Sequence, residues 1–203
     1  MEDKVARFIS FALHPVLMPF YLLVFLLFSS YYELVATPLA LKFSLAGITF
    51  LTTVILPLSF IWLLARLGFI TSIYLETREE RPFPLITMAI FYYATWYIIN
   101  PVPVTPIFNL FMLGASLVAG ASTLFNLFIK ISLHMAGIGS IAGLFTGLGL
   151  VHGLIQIPVV VILILICGIV GYSRMRLRTH SPHEIYTGFL LGFLLMGGLV
   201  LMV

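Results

Sequence analysis

The sequence predicts an all-α fold: a polytopic integral membrane helical bundle of six or seven transmembrane helices, forming a single transmembrane domain over residues 1–203. Three observations carry this. Apolar residues make up 62% of the chain and charged residues only 8%, against about 25% charged in soluble domains. Mean hydropathy is +1.18, so lipid is the solvent this surface suits. Apolar runs near the roughly 20-residue length of a bilayer-crossing helix recur along the whole chain.

Taken in order, the first run is Pro15–Tyr32. The preceding MEDKVARFISFALHP mixes acids and bases before an amphipathic stretch. It lacks the basic region and small-residue cleavage site of a secretory signal, so the run is read as retained. The second run is Leu41–Leu67 and the third Phe83–Asn100. Their Trp62, Trp96, Tyr92, Tyr93 and Tyr97 read as interface anchors or lipid-facing packing. Pro101-Val102-Pro103 then breaks the chain. The fourth run, Pro106–Phe128, is interrupted by Gly114, Gly120 and Ser122-Thr123, which is why the count is six or seven. The fifth, His134–His152, contains AGIGSIAGLFTGLG, a density of small residues that lets helix backbones approach closely in lipid. Gly153 separates it from the sixth, Ile155–Tyr172. That run holds the lone cysteine, Cys167, which excludes an intramolecular disulfide. The seventh, Ile185–Val203, is opened by Ser181-Pro182-His183-Glu184, a capping box with Ser at N-cap, Pro at N1 and Glu at N3.

Charge divides unevenly between the two membrane faces. Seven crossings put the connections near 68–82, 129–133 and 173–184 on the side of the N-terminus. Lys4, Arg7, Arg66, Arg78, Arg81, Lys130, Arg174, Arg176 and Arg178 fall on or near that side, and Lys42 on the other. The positive-inside rule makes the crowded face cytoplasmic. The net charge of +3 suits anionic lipid head groups; with no long basic tract, nucleic acid is not the expected partner. Oligomeric state is not readable from these features.

Three polar clusters on that face carry chemistry: ETREERP at 76–82, KISLH at 130–134 and SRMRLRTHSPHE at 173–184. Ionisable groups at a membrane span are functional candidates by default. Arg78, Arg81 and Arg174 offer planar donor forks for phosphate oxygens. His134 and His180 titrate near neutral pH, and Glu184 lies four residues after His180. Two histidines, a carboxylate and arginines suffice for phosphoryl transfer without a metal or other cofactor. One histidine attacks phosphorus while the carboxylate orients it, the second histidine protonates the leaving oxygen, and the arginines neutralise the equatorial oxygens. Metal chemistry on aspartates fits poorly, because Asp3 is the sole aspartate.

These residues resemble the motifs of the type 2 phosphatidic acid phosphatase superfamily, membrane lipid phosphatases related to vanadium haloperoxidases. The third motif of that family reads S-R, five residues, H, three residues, D. Ser173-Arg174, His180 and Glu184 keep every spacing, with Glu for Asp and with Pro182 between. The second motif, P-S-G-H, is matched by Ser132 and His134 but not by Ile131 and Leu133. In the first, K, six residues, R-P, Arg81-Pro82 matches and Tyr74 stands at the lysine position. The resemblance implies His180 as nucleophile, Glu184 as its orienting carboxylate, His134 as general acid, and Arg81, Arg174 and Ser132 as phosphate ligands. Arg78 or Lys130 is a candidate replacement for the lysine.

Each residue has a plainer role beside this one. Glu184 can close the last helix as well as orient His180. Arg176 and Arg178 read as a basic loop meeting anionic lipid. Arg81 can pair with Glu79 or Glu80. His14, His152 and His183 read as interfacial or loop residues. The expected function is a phosphatase or phosphotransferase acting on a lipid phosphate or prenyl diphosphate. The alternatives are a non-catalytic lipid-binding or transport protein on the same scaffold, and a degenerate relative with a structural role.

Overall fold

Proline and glycine set the break points of the helices. The structure is a computed structural model that describes residues 2–29, 37–72, 75, 77–102, 106–153 and 157–202. Tyr74 and Pro103, and the expected run ends at Tyr32, Ile155 and Val203, lie outside the described residues. The described helices are α1 (Glu2–Ala12), α2 (Met18–Phe28), α3 (Leu39–Phe50), α4 (Leu56–Arg66), α5 (Pro82–Ile99), α6 (Pro106–Asn126), α7 (Leu133–His152), α8 (Ile157–Arg176) and α9 (Pro182–Leu201). No strand occurs among the described residues. Seven helical segments are long and apolar enough to cross a membrane. The protein is an all-helical, multi-pass membrane protein.

Two segments differ from the sequence expectation. The first begins at Glu2, not Pro15, and runs to Phe28 through a break at His14 and Pro15. Pro15 lacks an N–H and forces the residue before it into an extended conformation, and His14 has φ −66° and ψ 137°. The fourth, α6, is continuous over 21 residues. Its glycines do not break it, because in lipid a helix keeps its backbone bonds inside the segment.

The chain packs as two compact units. Unit 1 comprises residues 1–18 and 127–203, and unit 2 residues 19–126.

In unit 1, α7 and α9 meet backbone to backbone along a stripe of glycines spaced four apart. A Cβ at Gly139 would strike the carbonyl of Phe189, and one at Gly143 that of Phe193. From the other side, a Cβ at Gly188 would meet the Ser132 carbonyl and one at Gly192 that of Ala136. This is the small-residue packing expected of the fifth run. Met18, Met135, Ile138, Val170 and Ile185 form a buried cluster that ties α8 to the pair. Arg176 on α8 pairs with Glu2 and Asp3 of α1, each at 3.1 Å, so it does not serve only as a lipid-facing charge.

In unit 2, α3 passes into α4 through a π-helical turn at Leu51–Ile55. Pro57 follows at the start of α4. It cannot donate to residue 53, and the wider turn absorbs the mismatch. The Thr52 and Thr53 hydroxyls bond the carbonyls of Ile48 and Thr49 at 2.9 and 2.8 Å. Thr95 of α5 reaches Thr52 at 2.8 Å, and Ser116 of α6 donates to the Ala89 carbonyl of α5 at 2.8 Å. Lys42 is buried on α3, with its ammonium 5.4 Å from the Phe28 ring centroid.

Candidate functional site

The third polar cluster is shaped by a tight turn between α8 and α9. Thr179 caps the end of α8, its N–H and hydroxyl reaching the Arg174 carbonyl at 3.2 and 3.1 Å. Arg178 takes a left-handed conformation, φ 53°. The chain then reverses into α9. Ser181 is the N-cap and the capping box is complete: Glu184 N–H donates to Ser181 Oγ at 3.4 Å, and Ser181 N–H to Glu184 Oε2 at 3.1 Å.

Glu184 also holds His180. Its Oε2 lies 3.0 Å from Nδ1 of the buried His180 ring. Capping and orientation therefore coexist, as the sequence allowed. Both contacts fall on the same oxygen, Oε2. A carboxylate acceptor places a proton on Nδ1, so in the neutral ring Nε2 carries the lone pair.

The second cluster is joined to the third by the glycine contact. Ser132, the N-cap residue of α7, donates its backbone N–H to the Glu184 carbonyl at 3.0 Å. Its own carbonyl lies against Gly188. Ser132 Oγ is fully buried with no hydrogen-bond partner among the described residues. His134 follows in the first turn of α7. The ring is buried, and its Nε2 meets the Ser10 carbonyl of α1 at 2.9 Å. A carbonyl only accepts, so Nε2 bears a proton. His134 lies within electrostatic reach of both Arg174 and His180.

His134, Arg174, His180, Glu184 and Ser132 thus belong to one end of unit 1. Lys130 lies just before α7, half-buried. Sequence reasoning read His14 as an interfacial or loop residue and did not foresee its contact with His134. Its ring packs edge-on against His134, centroids 5.3 Å apart and planes at 79°, and Arg174 acts on it electrostatically. An ionisable residue inside an apolar segment and before a proline was the available signal.

Arg78 and Arg81 belong to unit 2, in the connection from α4 to α5. Arg81 is buried at the N-cap of α5, and its Nε donates to the Leu75 carbonyl at 3.1 Å. Leu75 has φ 50°, so the guanidinium fixes a strained turn. Arg78 is exposed. Its carbonyl accepts from Asn126 Nδ2 at 2.8 Å, and its Nε lies 3.9 Å from Glu79. Glu80 Oε1 accepts the Thr71 N–H at 2.6 Å. Hydrogen bonding from Thr71, side chain first and backbone second, holds the Glu80 carboxyl below its usual range.

No protein-family model, curated protein or solved structure matches the chain.

Proposed function

We propose that the protein is a metal-independent phosphatase or phosphotransferase that cleaves a lipid phosphate or prenyl diphosphate through phospho-His180. The observation that supports this best is the 3.0 Å contact between His180 Nδ1 and Glu184 Oε2. It gives an oriented imidazole whose Nε2 is the nucleophilic nitrogen, the arrangement general to activated nucleophiles. Nε2 attacks phosphorus, and the bond to the ester or anhydride oxygen breaks. His134 protonates the departing oxygen. Because its Nε2 is engaged by Ser10, Nδ1 of the imidazolium is the nitrogen that delivers. Arg174, with Ser132, stabilises the charge on the phosphoryl oxygens, and Lys130, in the same unit, is a further candidate for that role. Water, activated by the now neutral His134, resolves the phosphohistidine. Asp3, the sole aspartate, is paired with Arg176, which supports the metal-independent reading.

A second reading, a non-catalytic lipid-binding or transport protein, draws on one observation. The Ser10 contact fixes His134 as a structural tie between α1 and α7. One experiment separates the two. Purified protein is given a panel of lipid phosphates and prenyl diphosphates with EDTA present. Phosphate release that His180→Ala abolishes, together with a trapped phosphohistidine, is the expected result. Release that survives His180→Ala refutes the nucleophile, and no release from any substrate favours the binding protein.

A further inference from the structure

We propose that His14 is a third imidazole of this site, donating a hydrogen bond from Nε2 to an oxygen of the bound phosphoryl group. The proposal rests on the phosphate-site reading above and extends it to α1.

Three features converge. The first is the tautomer. The break at Pro15 leaves the Val16 N–H without a helical acceptor, and His14 Nδ1 takes it at 3.3 Å. Nδ1 is therefore an acceptor, and the neutral ring carries its proton on Nε2. His14 is a hydrogen-bond donor without being a cation. The second is position. Its ring stacks edge-on against His134 at 5.3 Å, and His134 is tied to Ser10, four residues before His14. Arg174 reaches both rings electrostatically. The exposed pairs from Arg176 to Glu2 and Asp3 hold the other end of α1 to α8.

The third is unmet hydrogen-bonding capacity. Ser10 Oγ and Ser132 Oγ are buried without a partner among the described residues. Both belong to residues that frame His134: Ser132 precedes it on α7 and Ser10 binds its ring. Buried hydroxyls are nearly always satisfied, so an oxygen-rich ligand is the natural completion of this space. A phosphoryl group has several acceptor oxygens. Arg174 supplies positive charge close to both rings, and a neutral N–H adds a bond to the anion without adding like-charge repulsion to Arg174.

The test uses the full chain in detergent and inorganic phosphate as probe. His14→Phe keeps an aromatic ring against His134 but removes the donor, and His14→Gln restores an N–H. Loss of a hydrogen bond to a charged partner weakens binding roughly 10- to 100-fold. The Phe variant should therefore raise the phosphate Kd by about that factor, and the Gln variant by about threefold or less. A folded His14→Phe protein that binds phosphate like wild type overturns the proposal. Should the Phe variant not fold, wild-type protein labelled with 15N-histidine gives the same answer. Phosphate must move the Nε2 resonance that is missing from His14→Gln, and an unmoved resonance overturns the proposal. Phosphate binding that needs His14, in a protein that hydrolyses nothing, sinks the catalytic reading and leaves the His14 assignment standing. A wild-type protein that binds no phosphate sinks both.

Discussion

Glu184 Oε2 accepts from both the His180 ring and the Ser181 N–H, and the two roles can be separated by mutation. Glu184→Gln keeps an oxygen for the cap but loses the charge that fixes the imidazole tautomer. Phosphate release should fall by about 10²–10⁴, as when a triad carboxylate becomes an amide. The helix cap should lose less than about 1 kcal/mol, checked by thermal unfolding in detergent. Arg178 holds a left-handed conformation that costs a side chain about 1–2 kcal/mol. Arg178→Gly should raise stability by about 1 kcal/mol in the same assay, with activity unchanged. Glu80 gives a pH prediction. Its folded pKa lies below its ordinary value of 4.5, so its stabilising contribution is full above that value and fades as pH falls through the folded one. The stability difference between wild type and Glu80→Gln should therefore hold at neutral pH and shrink as the pH falls below 4.5. At this scale the spacing of His180 and Glu184 was legible because both sit on one local turn. His14 was not, because its partner His134 lies on a helix distant in sequence, and no local pattern records that meeting.

The seam between α7 and α9 decides whether His134 and His180 share one end of unit 1. Gly192→Ala would place a methyl in the Ala136 carbonyl, with no flexible side chain to yield. Overpacking of this kind costs about 1–3 kcal/mol, and the displaced α9 should carry His180 and Glu184 away from His134, lowering activity as well. Gly198 faces open space, so Gly198→Ala serves as the control and should leave both properties unchanged. The run of small residues made this seam legible in the sequence. The π-helical turn at Leu51–Ile55 was not, because Pro57 alone does not say whether a helix kinks, breaks or widens.

For the whole molecule, the apolar runs were enough to expect six or seven spans, and seven helical segments are long and apolar enough to cross, since backbone hydrogen bonding in lipid leaves a chain few other choices. The start of the first crossing was misjudged, because charges at Lys4 and Arg7 masked α1. The charge asymmetry between connections leads us to propose a cytoplasmic site. In a Cys167→Ser background, a thiol introduced at position 178 should react with a membrane-impermeant maleimide only after the cells are opened. Labelling of intact cells would reverse the orientation.

Unit 1 is assembled from two separated segments, residues 1–18 and 127–203, while unit 2 is one continuous stretch between them. A ribosome therefore releases α1 well before its partners exist. At about 5–20 residues per second, the intervening stretch takes roughly 5–20 s to synthesise. Throughout that interval, Ser10 and His14 wait for α7 to arrive. Biosynthesis thus delays the histidine cluster until unit 2 has been made, and a transcript truncated before α9 would yield a membrane-inserted chain with no means of building it.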